Sequence, residues 1–399
     1  MRKDKSKKLP GKPEWEPLLL HTKELHTKST HPPRPPFAEP WEEIGPGYIY
    51  GPAFGHWDIT HACFNTMYFA YDHAVTQMKN LISLQGTDGM LPGSIWMSSD
   101  MPKADEGISH PPVWPYAVED LHGISGDTEI IKYFYEPLLG QIKWFEHERK
   151  ADDGGFYYCD ILNRQWESGI DESVRFNEVK SGAFSCVDAT SHVYALYAFA
   201  EKWGERLGHE TSGFREKAGV LQKFIQDRLF DDETGFFFDI WAVGNEQNRR
   251  LTFDGIWPMV VGAAGHAQAM RVIDENLLNP ERFFTTHPIS TVGIHDSAFE
   301  LRMWRGPAWN SMTYWAARGS ARYGRPDAAV QLLERALDES SRVFNETGLM
   351  WEFYHPFGGN PKELARKPQR EYNHPCPSYL GHNPFYGMAL MYDELRCLV

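Results

Sequence analysis

The 399-residue chain has few cysteines, no surplus of basic residues and no long apolar run. Its five cysteines are scattered and none belongs to a C-x-x-C pair, which argues against zinc ribbons and dithiol redox motifs. Free thiols in a reducing compartment are favoured, and we therefore expect a cytoplasmic protein. The formal net charge of −14 argues against a nucleic-acid or anionic-membrane partner. No stretch reaches the roughly 18 apolar residues of a membrane helix, and no apolar segment follows the basic start.

Histidines are numerous but form no metal-binding pattern. The 17 histidines are scattered, without an H-x-x-x-H or H-E-x-x-H sequence. We therefore expect no metal and no cofactor.

Aromatic residues are abundant, with 14 Trp, 18 Tyr and 24 Phe. Such rings either fill a large core or stack on sugar rings. Several tryptophans stand beside glycine, proline and charged residues, which favours a cleft that binds a small carbohydrate. The sequence is compatible with a homo-oligomer but does not specify one.

From Asp58 onward, apolar residues recur mainly at helical spacing. The pattern predicts helices over residues 58–85, 113–125, 128–150, 187–207, 212–230, 254–263, 265–278, 307–324, 326–345 and 384–396. Strand-like segments are few, at 155–158 and 235–240, which excludes a Rossmann fold or a TIM barrel. Ten or eleven helices of similar length predict an all-α (α/α)6 barrel, a toroid of six helical hairpins, with a few short strands in its loops.

The first 50 residues differ from the rest in composition, being rich in lysine, proline and histidine. They include a basic run at 2–8, interpreted as a solvated tail, and a proline-rich run at 31–36. Because proline at this density prevents a helix, residues 1–50 are predicted to form an extended arm that packs on the barrel. A short helix around 15–28 is compatible with the pattern. Residues 51–399 are predicted to form a single catalytic domain.

Five predicted loops combine aromatic, charged and glycine or proline residues. In a double ring of helices the loops at one end form the pocket, so these segments are the candidate site. The loops span residues 55–58, 165–173, 304–310, 351–356 and 382–387.

The motifs in these loops resemble those of glycoside hydrolase family 63, and the related trehalases of family 37 share the same barrel plan. The resemblance rests on Trp-Glu-Ser-Gly-x-Asp at 166–171, Trp-Arg-Gly-Pro-x-Trp at 304–309, Glu-x-Tyr-x-Pro-x-x-Gly at 352–359, Trp-Asp at 57–58 and Gly-x-Asp-Gly-Met-x-Pro at 86–92. It covers roughly residues 50–396. The length resembles the compact bacterial members, which include mannosylglycerate and glucosylglycerate hydrolases.

This resemblance implies an inverting α-glycosidase that hydrolyses a small α-glucoside or α-mannoside. By motif position, Asp171 is the general acid and Glu352 the general base. An inverting enzyme needs a carboxylic acid for the leaving oxygen and a carboxylate that activates water on the opposite face, about 6.5–9.5 Å apart. The alternative for Asp171 is an Asx-turn or a helix cap, and the alternative for Glu352 is a structural salt bridge.

Further residues of these loops are expected to contact the substrate. They are Trp57, Asp58, Trp166, Glu167, Arg175, Trp304, Arg305, Trp309, Tyr354, His355 and Tyr386. Asp58 could instead cap a helix, Arg305 could form an ion pair that holds its loop, and Glu167 could orient Arg175. The acid loop continues with Glu172 where the family often has asparagine, which leaves the role of Glu172 and the identity of the substrate open.

Other classes of protein remain to be distinguished. An (α/α)6 sugar isomerase or epimerase would use histidines for proton abstraction, for which His355 and His382 are candidates. A carbohydrate-binding protein would keep the aromatic cleft without catalysis. The loops rich in tryptophan and glycine argue against a purely structural helical scaffold.

Overall fold

The computed structural model describes residues 9–177 and 179–399, which form a mostly helical fold with a few short strands. The predicted basic tail at 2–8 lies outside the described residues. The helices are α1 (Glu16–Lys28), α2 (His56–Thr66), α3 (Tyr71–Ser83), α4 (Trp114–Ser125), α5 (Thr128–Glu148), α6 (Asp160–Asn163), α7 (Val187–Leu207), α8 (Ser212–Arg228), α9 (Trp257–Val261), α10 (His266–Arg271), α11 (Asn310–Arg322), α12 (Pro326–Thr347) and α13 (Phe385–Leu395). Short 3-10 turns lie at Pro13–Trp15, Val174–Phe176, Phe253–Ile256 and Pro361–Glu363, and a π-helical turn, Val272–Leu277, continues α10.

The strands are short and all pair antiparallel. β1 (Thr30–His31) pairs with β2 (Trp41–Glu42), and β6 (Phe230–Asp231) pairs with β7 (Phe236–Phe237). β4 (Ser94–Trp96) lies between β3 (Ala53–Gly55) and β5 (Lys103–Ala104). β3 leads directly into α2, so this sheet lies beside the loop at 55–58.

Two kinds of helix pack against each other. All of α2 is buried, and most of α7 and α11 is buried, whereas α3, α8 and α12 bury one face only. α2 contacts both α4 and α13, α9 contacts both α7 and α11, and α11 contacts α13. α4 meets α7 through the edge-to-face rings of Tyr116 and Phe199, 4.8 Å between centroids. Each amphipathic helix therefore covers a helix that is buried on more than one side.

The predicted helix at 58–85 is in fact two helices, α2 and α3. The chain turns between them, where the backbone N–H of Ala70 donates to the carbonyl of Thr66 at 2.7 Å. The prediction was wrong because this turn contains neither glycine nor proline and the apolar spacing continues through it. The predicted strand at 155–158 is reduced to an isolated bridge between Lys150 and Phe156.

The N-terminal segment contributes to the core. The helix compatible with residues 15–28 is present as α1, and it contacts α2, α12 and α13. Trp15, Leu18 and Leu19 are fully buried, and the indole Nε1 of Trp15 donates to Oδ1 of Asp338 at 2.7 Å. The division of the chain at residue 50 stays a prediction.

Two further expectations concern the environment of the protein. All five cysteines are free, and four of them are buried. Within the described ranges, no helix combines the length and the hydropathy needed to span a bilayer.

Candidate active site

The loops that connect the helices enclose a cavity of about 390 Å³. It is lined by Ile44, Tyr48, Tyr50, Trp57, Asp58, Ser94, Trp96, His110, Trp166, Gly169, Asp171, Met303, Trp304, Trp309, Glu352, Arg366, Lys367, Arg370, Tyr379 and His382. Both predicted catalytic carboxyls, Asp171 and Glu352, are among these residues. Three carboxyl groups, three cations and eight Tyr or Trp rings therefore face one space.

The loop that carries Asp171 follows α6 and is stabilised by hydrogen bonds to the first residue of that helix. The carboxylate of Asp160 accepts hydrogen bonds from the backbone N–H and the hydroxyl of Ser168, at 3.0 and 2.8 Å. Gly169 has φ +75°, and a Cβ at this position would lie 2.4 Å from Cζ2 of Trp57. Glycine is needed there because the loop turns tightly against the indole ring.

Within the described part of the chain, the carboxylate of Asp171 has one ion-pair partner. Nζ of Lys367 lies 2.6 Å from Oδ2 of Asp171, and the two side chains are only about one-fifth exposed. The adjacent Glu172 has φ +57°, a left-handed conformation that turns its side chain toward other loops. Glu172 pairs with Arg302 and accepts from Nε2 of Gln369 at 3.1 Å. These bonds tie the loop of Asp171 to two other segments and give Glu172 a structural role, which the sequence left open.

The carboxylate of Glu352 is held from several directions. Nε and Nη2 of Arg366 donate to its two oxygens at 2.7 and 2.9 Å, and the backbone N–H of Cys376 donates to Oε2 at 3.0 Å. Both side chains of the ion pair are 2% exposed, so this bidentate contact is largely shielded from water. Burial alone would lower the pKa of Arg366, but the charge of Glu352 outweighs it and holds that pKa above its usual range.

Asp58 is a third carboxyl group in the cavity. It lies in the first turn of α2, two residues beyond the helix start, so it is not the N-cap residue, which is Gly55. The hydroxyl of Tyr379 donates to Oδ1 of Asp58 at 2.9 Å. Burial raises the pKa of Asp58 to about 7, and the charges of Glu352 and Asp171 act in the same direction.

Tryptophan rings form one wall of the cavity. The indoles of Trp304 and Trp309 are stacked with centroids 3.6 Å apart and planes 5° from parallel, and Trp57 lies 5.8 Å from Trp304. Trp166 is 39% exposed at the edge of the cavity, where a ligand could cover it. Such flat apolar faces are suited to the C–H face of a sugar.

His382 stands edge-on to these indoles, with Nε2 3.6 Å from Oδ1 of Asp58. Burial lowers its pKa well below the usual range, so the ring is neutral near neutral pH. The second histidine considered for an isomerase, His355, does not line the cavity. The two histidines are therefore not brought together as a pair on the substrate.

Two charged residues predicted to bind substrate are instead engaged in structural contacts. Glu167 is fully buried and accepts from Nε and Nη2 of Arg149 at 2.7 and 2.9 Å. Arg175 donates to Asp188 and Asp239, at 2.9 and 3.0 Å from Nη1. Neither faces the cavity, and Glu167 orients Arg149 rather than Arg175. Buried charges require such partners, which explains why these two turn away from the pocket.

Four more predicted contact residues lie outside the cavity lining. Arg305 pairs with Glu300 at 2.9 Å and so holds its own loop. Tyr354 is 1% exposed and packs on His287, and Tyr386 packs edge-on to Phe69. The ring of His355 accepts from the backbone N–H of Phe357 at 3.2 Å.

Several cavity residues were not predicted from the sequence. Tyr48, Tyr50, Trp96 and Tyr379 add rings from the N-terminal segment, from β4 and from the segment before α13. Arg366, Lys367 and Arg370 come from a single basic stretch at 366–370. A dense basic stretch in a chain of net charge −14 is a signal that could have identified it.

Among the described residues, two groups of side chains outside the cavity have the composition of metal ligands. They are Cys159, Asp160 and Glu167, and Cys186, Asp188 and Asp239, with the ligand atoms of each group within 4.8 Å of one another. An arginine is bonded into each group, Arg149 to Glu167 and Arg175 to Asp188 and Asp239. A guanidinium therefore already supplies positive charge in both places. The expectation of metal-independent chemistry stays a prediction.

Comparison with known proteins gives consistent matches. The family model described as mannosylglycerate hydrolase MGH1-like glycoside hydrolase domain matches residues 52–375. Mannosylglycerate hydrolase from Rubrobacter radiotolerans is 22% identical over 398 aligned positions, which cover 80% of this chain and 89% of that protein.

Among solved structures, the family 63 mannosylglycerate hydrolase from Thermus thermophilus, in complex with glucose, superposes with a TM-score of 0.73. It is 18% identical, and the match covers 94% of this chain and 99% of that chain. Neutral trehalase from Saccharomyces cerevisiae gives a TM-score of 0.68 at 15% identity, with coverage of 95% and 81%.

The helical fold, the aromatic cavity and the family match define an enzyme that hydrolyses glycosidic bonds. Within that class, the chain belongs to the MGH1-like glycoside hydrolase family, which confirms the resemblance to glycoside hydrolase family 63.

Proposed function

We propose that the protein is an inverting α-glycosidase with Asp171 as general acid and Glu352 as general base. The observation that carries the proposal is the placement of these two carboxyl groups, from separate loops, on one tryptophan-walled cavity. The residues of the predicted motifs that meet there are Trp57, Asp58, Trp166, Asp171, Trp304, Trp309 and Glu352.

The contacts of the two carboxyls support this assignment of roles. Glu352 receives donors only, from the guanidinium of Arg366 and the N–H of Cys376, and such donors stabilise a carboxylate ion. A general base must be ionised when it takes a proton from water. Asp171 is contacted by one flexible lysine side chain, which a substrate can displace, and it is more exposed than Glu352, so its carboxyl group is the one better able to meet the leaving oxygen.

In the proposed reaction, protonated Asp171 gives its proton to the glycosidic oxygen as the bond to the anomeric carbon breaks. Glu352 takes a proton from a water molecule, whose oxygen forms the new bond to the anomeric carbon on the opposite face. The products are a free sugar of inverted configuration and the released alcohol. Protons then return from Glu352 to solvent and from solvent to Asp171.

The cations of the cavity support a substrate whose aglycone carries a carboxylate. Lys367 and Arg370 both line the cavity, and the guanidinium of Arg370 has no hydrogen-bond or ion-pair partner within residues 9–177 and 179–399. Relatives of the chain are mannosylglycerate hydrolases. We propose a small α-mannoside or α-glucoside of glycerate as the substrate.

We also propose that the helices close into an (α/α)6 barrel. The contacts described above run from α2 through α4, α7, α9, α11 and α13 and back to α2, as in an inner ring. The outer partners would be α3, α5, α8, α10, α12 and α1, because α1 packs against α13, α12 and α2. This arrangement gives the N-terminal helix the place of the outer helix of the sixth hairpin.

The test combines product analysis with two substitutions. Proton NMR of the hydrolysis of an α-glycoside should detect the β-anomer of the sugar first. Asp171→Asn and Glu352→Gln should each lower kcat by about 100-fold or more, because general acid–base catalysis contributes about that much. Asp72→Asn, an exposed aspartate on α3, is the matched control and should leave kcat unchanged.

Initial release of the α-anomer would overturn the inverting mechanism. An isomerase would convert a free sugar and tolerate both substitutions, and a binding protein would bind the glycoside without any turnover.

A further inference from the structure

One short segment, residues 361–373, contacts both proposed catalytic carboxyl groups. Consecutive residues of it, Arg366 and Lys367, bond to Glu352 and Asp171 respectively. Its backbone is fixed near these contacts, because the N–H of Arg366 donates to Oδ1 of Asn373 at 2.8 Å. The N–H of Met303 also donates to the carbonyl of Ala365, at 3.0 Å. The backbone beside Lys367 is thus held, and its side chain lines the cavity and pairs with Asp171.

The two ion pairs differ in how firmly they are made. Arg366 binds Glu352 through two hydrogen bonds with both side chains 2% exposed. Lys367 binds Asp171 through one contact with both side chains at 20–22% exposure. An ammonium on a four-carbon stem is easily redirected, whereas a bidentate guanidinium is not. Of the two cations, Lys367 is therefore the one that can change its partner.

The position of Lys367 also fixes which part of a substrate it would meet. The general acid protonates the leaving oxygen, so the group beside the acid faces the aglycone, and the group beside the base faces the attacking water. Lys367 lies 2.6 Å from the proposed acid, on the aglycone side. Arg370, which lines the same cavity, adds a second positive charge from the same segment.

We propose that Lys367 is a cation shared between Asp171 and the carboxylate of the aglycone. In the empty site it pairs with Asp171; when an anionic aglycone binds, it passes to the substrate and leaves Asp171 free to take up the proton that it delivers. This inference rests on the proposed function and adds to it a residue that selects for anionic aglycones. Lys367 would make anionic aglycones better substrates by promoting the active protonation state of the acid as well as by binding.

The proton balance of this exchange is simple. The ammonium of Lys367 keeps its charge throughout and only changes partner. Asp171 loses a cation and gains a nearby anion, so its carboxylate takes one proton from solvent. That proton moves to the glycosidic oxygen when the bond to the anomeric carbon breaks, and Asp171 is again a carboxylate when Lys367 returns to it.

The kinetic test uses two substrates that differ only in the charged group, a glycoside of glycerate and the same glycoside of glycerol. Lys367→Met should lower kcat/KM for the glycerate glycoside about 10- to 100-fold, the range expected for a lost charge-assisted hydrogen bond. It should change the glycerol glycoside by no more than about threefold. Lys367→Arg should restore part of the preference, and Lys362→Met, an exposed lysine of the same segment, is the matched control.

An equal loss for the two substrates would overturn the proposal, because Lys367 would then only position the acid. The absence of any loss would overturn it as well. Thermal unfolding of Lys367→Met and of Lys367→Gln checks that either variant is folded, and both are expected to be, since the lysine makes a single contact near the cavity edge.

Calorimetry tests the proton transfer separately. Binding of the glycerate glycoside to Glu352→Gln near neutral pH, compared in buffers of different ionisation enthalpy, should take up about one proton. Asp58 lines the same cavity and its pKa is about 7, so any uptake by Asp58 should remain in every variant. The uptake by Asp171 should disappear when Asp171→Asn or Lys367→Met is added, and an uptake in Glu352→Gln that Lys367→Met leaves unchanged would overturn the exchange. If Asp171→Asn were as active as the unchanged enzyme, the proposed function would fail first. If Asp171 were essential but the two substrates responded alike to Lys367→Met, only this inference would fail.

Discussion

Asp58 offers a prediction in which stability and activity change in opposite directions. Its carboxyl group is 5% exposed, and burial raises its pKa from 3.8 to about 7. Tyr379 donates one hydrogen bond to it, and no lysine or arginine is bonded to it among the described residues. Asp58→Asn keeps an oxygen that accepts from Tyr379 and removes the charge. We expect the variant to be more stable than the unchanged protein at alkaline pH.

The sign follows from proton binding. Between about pH 4 and pH 7 the folded protein keeps the proton of Asp58 while the unfolded chain has lost it. The free energy of unfolding contributed by this group therefore falls as the pH rises through that window, and it is constant above the folded pKa. Each pKa unit corresponds to about 1.4 kcal/mol, so the rise in the pKa of Asp58 costs at most about 4 kcal/mol.

The assay is urea unfolding of both proteins at about pH 5 and about pH 8. Roughly two pH units of the window lie between these conditions, so the stability of Asp58→Asn relative to the unchanged protein should rise by about 2–3 kcal/mol. Asp72→Asn, exposed on α3, should show no such trend. A stability difference that is the same at the two pH values would refute the reasoning. If Asp58 also binds sugar hydroxyls, kcat/KM of the variant should fall even though the fold is more stable.

Three other predictions concern the contacts of the proposed catalytic groups and the edge of the cavity. Arg366→Met leaves the carboxylate of Glu352 buried without its cation, and it should lower the free energy of unfolding, measured by urea titration, by about 3–5 kcal/mol. Adding Glu352→Gln removes the unpaired charge and should recover part of this loss. If the effects of the two substitutions were simply additive, the reasoning would be contradicted. Glu172→Gln weakens the tie to Arg302 and should lower kcat severalfold with little change in KM, whereas an increase in KM alone would argue for direct substrate contact. Trp166→Ala removes an exposed ring from the cavity edge and should raise KM about 5- to 10-fold at nearly constant kcat. Steady-state rates measured over a range of substrate concentrations give KM and kcat separately.

Much of the fold followed from periodicity. The pattern predicted α7 at its observed bounds and α4, α5, α8, α11, α12 and α13 to within a few residues. It failed between α2 and α3, where the turn has no glycine or proline. The predicted helices at 254–263 and 265–278 are helical over most of their length, but Phe253–Ile256 is a 3-10 turn and Val272–Leu277 a π-helical one, which the pattern did not indicate. Such segments depend on contacts distant in sequence, which local propensity does not encode.

The candidate site was predictable where a carboxylate stands in a loop rich in tryptophan and glycine, because such a loop has few structural uses. Asp171, in a Trp-Glu-Ser-Gly-x-Asp loop, and Glu352, in an aromatic loop, both line the cavity, while their catalytic roles stay predictions. Glu167 and Arg175 lie in the same loop region as Asp171 and are charged like it, but each turns inward to a buried partner. The direction of a loop side chain depends on tertiary partners, here Arg149 and Asp188, and a sequence motif does not specify them.

The packing of α1 has a consequence for how the chain folds as it is synthesised. This helix is synthesised well before two of its partners, α12 and α13, which lie far downstream in the sequence. The buried face of α1 thus lacks part of its native cover, including the hydrogen bond from Trp15 to Asp338, until α12 and α13 have been translated. Synthesis proceeds at about 5–20 residues per second, so this apolar face stays incompletely covered for roughly 20–60 s. Chaperone binding to nascent chains should accordingly concentrate on α1, and the packing of α1 should be completed only after α12 and α13 have been translated.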